Sequence, residues 1–248
     1  MTTLLMVSCS KNDDNSPTPV VETKFYPKKI DFFSKDMQGV ETFAASTTFS
    51  YNDNKQVSSI NYQGIIDIHF TYNANGLPGK MVLISGSNQS VCEFEYNGYR
   101  IIRLKRNNDT YNVSYNPTTN TYSYTDQYST HSFTLNSAKD LTRIVRLNNA
   151  DQTTVYDKEF SYKNDGFGFL YDIDYPISFY LRFIGLGIDL DHYISIKPLE
   201  KTITTQSGGS IPVEYTNILN ADNYVTESFL TWDNSGAGTI LRFEYEEL

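Results

Sequence analysis

Asp189-Leu190-Asp191-His192 puts two carboxylates on one face of an extended chain with an imidazole beside them, and Asp172-Ile173-Asp174 repeats the spacing. Alternating carboxylates of this kind are the raw material of a Ca²⁺ site, so Asp189 and Asp191 are the candidate metal ligands. A Ca²⁺ ion takes roughly six to eight oxygens, however, and two or three acids at a strand edge fall well short. The three histidines, His69, His131 and His192, are scattered and show no metal-ligand spacing. Gly-x-Ser-x-Gly elbows, phosphate-binding Gly-rich loops and Cys-His pairs are absent from the sequence, so nucleophilic and phosphoryl chemistry have no motif behind them. Paired acids for glycoside hydrolysis need not be neighbours in sequence. With 29 Asp and Glu, that possibility distinguishes no pair. Aromatic platforms are the other candidate: Tyr122, Tyr124 and Tyr128 lie in a Thr- and Ser-rich stretch, and Trp232 is the single tryptophan. Rings with one wet side stack on sugars, although the same rings also serve as cross-strand cover for a sheet. The expectation is a protein without catalytic residues or cofactor, with Tyr122, Tyr124, Tyr128 and Trp232 as candidate ligand contacts.

Cysteine adds one further kind of chemistry. Leu4-Leu5-Met6-Val7-Ser8-Cys9 is followed by the polar, acidic Ser10-Lys11-Asn12-Asp13-Asp14-Asn15. Small and apolar residues before a cysteine resemble the lipobox of a bacterial lipoprotein, in which the cysteine carries acyl chains after cleavage. The acidic run resembles the surface-export signal of Bacteroidetes-type lipoproteins. Only about four apolar residues precede Cys9, against the ~7–15 of a signal h-region. Residues 1–8 therefore read as a truncated signal peptide, Cys9 as the lipidation site and 9–23, with Pro17 and Pro19, as a disordered tether. With Cys9 acylated, only Cys92 remains and no internal disulfide can form. Cys92 alternates with Phe94 and Tyr96, which places it on an apolar face as a small hydrophobe.

These groups have to be positioned by strands. The chain has 248 residues with 20 Tyr and 15 Phe, a composition that favours β structure and can fill a large core. Its net charge of −9 argues against nucleic acid as a partner. The basic cluster Arg100, Arg103, Lys105 and Arg106 is interrupted by Ile101, Ile102 and Leu104, which reads as a wet strand face.

One phrase organises the whole chain: Phe49-Ser50-Tyr51-Asn52 returns as Phe70-Thr71-Tyr72-Asn73, Phe94-Glu95-Tyr96-Asn97 and Val113-Ser114-Tyr115-Asn116. Looser copies are Phe133-Thr134-Leu135-Asn136, Phe160-Ser161-Tyr162-Lys163, Val213-Glu214-Tyr215 and Phe243-Glu244-Tyr245. The first five copies start 21, 24, 19 and 20 residues apart, the length of one hairpin and its return. Period-two alternation buries the outer pair and exposes the middle residue. Asn, Asp and Gly after each copy suit the positive φ of tight turns. Ser207-Gly208-Gly209-Ser210 is a further hairpin turn. Residues 166–199 break the rhythm with apolar residues on both faces, so a buried strand pair or a short helix in 175–190 is expected to plug the sheet.

Φ-x-Tyr-Asn followed by Asn-Gly and an apolar return resembles a degenerate YD-type, RHS-like repeat. Together with the lipobox it is similar to a family of Bacteroidetes lipoproteins of unknown function with a porin-like β fold. The resemblance covers about residues 24–248, and most copies lack the Asp and Gly-Arg of a strict YD repeat. It implies an all-β, many-stranded antiparallel meander, curved or open barrel-like, and carries over no catalytic residues. Membrane-spanning strands need roughly 9–11 residues with an apolar outer face. The strands read here as five to eight residues, so a half-barrel outside the membrane is expected. The resulting picture is an outer-membrane lipoprotein, held to the membrane by Cys9, whose 24–248 domain binds a glycan or an envelope protein; a structural or adhesive spacer is the alternative, and a hydrolase using carboxylates near 166–199 ranks third.

Overall fold

The alternating stretches form strands throughout the computed structural model, which describes residues 23–184, 195–206, 208–233 and 235–248. Cys9, Asp189, Asp191 and His192 lie outside the described residues. The first strands are β1 (Tyr26–Lys35), β2 (Glu41–Tyr51), β3 (Val57–Tyr62), β4 (Ile66–Tyr72), β5 (Pro78–Ser85) and β6 (Asn88–Asn97). Next come β7 (Arg100–Arg106), β8 (Asp109–Asn112), β9 (Ser114–Asn116), β10 (Thr121–Thr125), β11 (Ser129–Leu135), β12 (Leu141–Asn148) and β13 (Thr154–Tyr162). A short helix, α1 (Ile177–Leu181), runs into a 3-10 turn (Arg182–Ile184). β14 (Leu199–Gln206), β15 (Gly209–Leu219), β16 (Val225–Thr231) and β17 (Gly238–Glu246) complete the set.

All seventeen described strands belong to one antiparallel sheet. Apart from β8 and β9, each strand pairs with the next, and β1 pairs with both β2 and β17, which joins the two ends of the meander. The curved sheet therefore goes round into a barrel, interrupted where β8 pairs with β7 and β9 pairs with β10. β2 and β15 have eleven residues and β1 and β6 ten, longer than the sequence suggested. Strand length no longer argues against a membrane; the wall's chemistry does. Its outer face carries cross-strand ion pairs around the circumference. They include Lys80–Glu93–Lys105, Arg103–Glu95, Arg143–Asp157, Lys201–Glu214 and Arg242 with Glu227 and Glu41. Each charge on a lipid-facing wall costs about 2–4 kcal/mol near the bilayer midplane for Arg or Lys, so this wall is built for water.

The repeat has a local cause. Tyr51 Oη donates to Pro27 O (2.5 Å), Tyr72 to Val57 O (2.5 Å), Tyr96 to Pro78 O (2.6 Å), Tyr162 to Leu141 O (2.6 Å) and Tyr245 to Val225 O (2.7 Å). Every acceptor is the first or second residue of the preceding strand. Register shifts at Ser50/Tyr51, Thr71/Tyr72, Glu95/Tyr96 and Ser161/Tyr162 mark β-bulges that re-aim each tyrosine towards that carbonyl. The asparagine that follows caps the turn: Asn52 Oδ1 accepts from the N–H groups of Asn54 and Gln56, and Asn73 Oδ1 from those of Asn75 and Leu77. Asn136 and Asn220 build the same turn, and its fourth residue has positive φ each time: Lys55, Gly76, Lys139 and Asn223. These turns share one end of the barrel, the asparagine rim. Tyr215 departs from the pattern, since β15 runs past it and the turn comes at Asn220.

The interior is mostly apolar and filled. Between β13 and β14 the chain enters the barrel, where Phe169, Leu170, Ile177, Phe179 and Phe183 are buried. Phe169 meets Phe49 and Phe243; Phe183 meets Phe94, Phe133 and Tyr124; Tyr175 meets Tyr72. The plug thus touches walls on several sides. Cys92 is fully buried, as its strand position predicts, and its thiol donates to Phe183 O (3.2 Å).

Candidate functional site

The break in the wall is also where a predicted ligand residue sits. Asn107, at φ 55°, turns the chain from β7 into β8. Through Val113, whose N–H donates to Ile102 O, the segment follows β7. From Ser114 it changes partner, pairing Ser114 with Ser123, Tyr115 with Tyr122 and Asn116 with Thr121. At the rim opposite the asparagine turns, β8 and the end of β10 are left without a ladder between them. A cleft of about 350 Å³ opens there, lined by Arg106, Asp109, Thr110 and Tyr111 on one side and Asp126, Gln127 and Tyr128 on the other.

Arg106 spans the break. Its Nη1 donates to Tyr124 Oη (3.3 Å), its Nη2 lies 3.4 Å from Asp126 Oδ2, and its guanidinium sits 5.4 Å from the Tyr111 ring centroid. Asp126 is held on both oxygens: Oδ1 accepts from the N–H groups of Tyr128 (2.9 Å) and Ser129 (2.8 Å), and Oδ2 from His131 Nε2 (3.0 Å). Burial pushes the Asp126 pKa up, but these hydrogen bonds outweigh it and hold the group below the usual carboxylate range. Burial also lowers His131, against the pull of Asp126, so the ring is neutral at neutral pH and its Nε2–H donates. That ring stacks on Tyr124 at 4.7 Å and 9°. The acid and imidazole are committed to holding the turn, which leaves a rigid cleft that presents Arg106 and two tyrosine rings.

Of the four predicted aromatic contacts, Tyr128 is 72% exposed on the cleft wall and Trp232 is 52% exposed on the β16–β17 turn, several strands round the barrel. The exposure expected of Tyr122 and Tyr124 is corrected: both are buried, Tyr122 against Phe179 and Tyr115, Tyr124 against Phe183. In β10 they are the inward members of the alternation, while Thr121 and Ser123 take the outer side. The two tyrosines occupy the repeat's buried face, a pattern the sequence already displayed. Arg106 and Asp126 were not recognisable as cleft residues, because a bent segment, not a spacing, brings them together. The basic cluster divides: Arg103 and Lys105 pair outward with Glu95 and Glu93, and Arg100 covers the Tyr115 ring. Among the described residues no group of three or more His, Cys, Asp or Glu gathers to hold a metal.

Solved structures align with much of this chain at low identity. A porin-like protein from Bacteroides vulgatus aligns over 91% of this chain and 100% of its own at 10% identity and a TM-score of 0.49. A porin-like protein from Bacteroides uniformis covers 89% and 98% at 14% identity and a TM-score of 0.35. In TcdB2-TccC3, 10% of that chain matches 79% of this one, at 12% identity and a TM-score of 0.31. The likeness is loose, with every TM-score below 0.5. At such identities it transfers no chemistry. No family model and no curated protein matches the chain.

Proposed function

We propose that this chain is a non-enzymatic binding module that holds a saccharide unit in the cleft between β8 and β10. The observation behind the reading is the exposed Tyr128 ring opposite Tyr111, in a break in the wall that Arg106 and Asp126 keep rigid. A sugar offers a C–H face to an aromatic ring and a rim of hydroxyls to charged and amide groups, and Arg106, Asp109 and Gln127 supply the latter. Asp126 has no oxygen left over for acid–base work, which favours recognition over hydrolysis.

The same reading places the protein at the outer membrane as a lipoprotein anchored through Cys9, on the strength of the residues around that cysteine. Palmitate labelling of the protein in its host checks this: the label is expected on the wild-type chain and absent from Cys9→Ala. An equally labelled variant would refute the anchor.

A structural or adhesive spacer is the second reading, favoured by the plug, which occupies the barrel interior where a large ligand would otherwise sit. Thermal-shift and calorimetric titration against a panel of oligosaccharides separates the two. One glycan class should raise the melting temperature, and Tyr128→Ala should weaken its binding by about tenfold without changing the melting temperature of the free protein. If no glycan shifts the wild-type protein, the spacer reading stands instead.

A further inference from the structure

At the asparagine rim the repeat brings equivalent positions of separate turns to one place. Asn54 and Asn75 are both third residues of the capped turn, and Lys55 and Lys139 are both fourth residues at positive φ. Gln56 Nε2 donates to Gly76 O (3.0 Å), locking the first two turns together. The entry to the plug completes the enclosure. Asp172 Oδ2 accepts from Phe25 N (2.8 Å) and Tyr224 Oη (2.6 Å), and Lys139 Nζ donates to Asp174 O (3.3 Å). Together these groups and the 78%-exposed Tyr99 border a cavity of about 310 Å³, separate from the cleft at the other rim.

We propose that this cavity is a second site, for a short zwitterionic peptide of two or three residues with free ends. Lys55, Lys139, Asp172 and Asp174 all line it, two residues of each charge. No ion pair between these lysines and aspartates occurs among the described residues: Lys55 Nζ reaches the Leu248 O atom and Lys139 Nζ the Asp174 carbonyl. Lys139 and Asp174 hold opposite charges beside one space without an ion pair between them, so a ligand carrying both signs completes what the protein leaves open. Asn54 and Asn75 each offer a donor and an acceptor, the pattern a peptide bond requires. The volume is at the lower end of the roughly 300–1,000 Å³ of ligand pockets, which limits the peptide to a few residues.

The test is isothermal titration of the full chain with trialanine, N-acetyl-trialanine and trialanine amide. Trialanine should bind, and each cap should weaken binding by about tenfold, because each removes one of the two charges. Lys139→Gln and Asp174→Asn, both at exposed positions, should weaken free trialanine comparably at an unchanged melting temperature. Tyr128→Ala should leave it unaffected, which separates this site from the saccharide cleft. Absence of heat with trialanine at millimolar concentration, capped peptides binding as tightly as the free one, or both charge variants binding normally would overturn the proposal.

Discussion

Tyr96 carries two functions in one side chain. Its ring covers the barrel interior beside Tyr180, and its hydroxyl satisfies the Pro78 carbonyl at the start of the neighbouring strand. Tyr96→Phe keeps the ring and removes only the hydroxyl, so denaturant unfolding should show a loss of about 1–2 kcal/mol, the cost of one unmet, partly buried acceptor. Cys92 is the opposite case, a group with a reactive name and no opportunity. Burial pushes its thiol up to about 12, against a weaker pull from Arg106. In the native protein at neutral pH, a thiol reagent should label Cys92 only as fast as the molecule unfolds, and labelling at the rate of a free thiol would contradict its burial.

At the scale of elements, the return of the plug to the wall rests on Asp140. Its Oδ1 accepts from Ile196 N (2.7 Å) and its Oδ2 from Lys197 N (3.1 Å), while Gly168 N donates to Ile196 O (2.8 Å) across the same strap. A Cβ at Gly168 would overlap the Ser195 carbonyl oxygen, so Gly168→Ala forces the two segments apart. Burial pushes Asp140 up to about 6 from an ordinary 3.8, although the two backbone donors pull it down. The folded state then holds a proton that the unfolded chain has already released. This contribution to stability is present below about pH 4 and lost as the pH rises through about 6. Urea unfolding of wild type and Asp140→Asn across that window isolates it: wild type should lose roughly 3 kcal/mol relative to the variant, and parallel profiles would contradict the shift.

For the whole molecule, the decisive fact is that the barrel is mostly apolar inside, charged outside and plugged. Phe183 is fully buried among Phe94, Phe133 and Phe179, on three different elements. Phe183→Ala should therefore cost about 3–5 kcal/mol in unfolding free energy while the far-ultraviolet dichroism stays that of β structure. A wall ringed with ion pairs around a filled interior offers no conducting path. Added to a planar bilayer, the protein should leave the conductance at its baseline, and discrete channel steps would refute the water-facing wall.

Period-two alternation and the recurring Φ-x-Tyr-Asn phrase determined the strands, their antiparallel order and the face each side chain takes, because these depend on near neighbours in the chain. Cys92 inside was legible for that reason, whereas the short helix near residue 177 was one of two readings left open beside a buried strand pair. Tyr122 and Tyr124 fall on the buried side of the same alternation. Closure of the sheet through β1 and the lodging of the plug were decided by tertiary structure alone. So was the break at Val113 that gathers Arg106, Tyr111, Asp126 and Tyr128 into a cleft. Strand pairing across the whole length of the chain and packing around a shared interior have no signature in local spacing. The charges of the asparagine rim show both levels at once: the repeat sets Lys55 and Lys139 at the same step of two turns, and only the curvature of the barrel turns those steps towards one another.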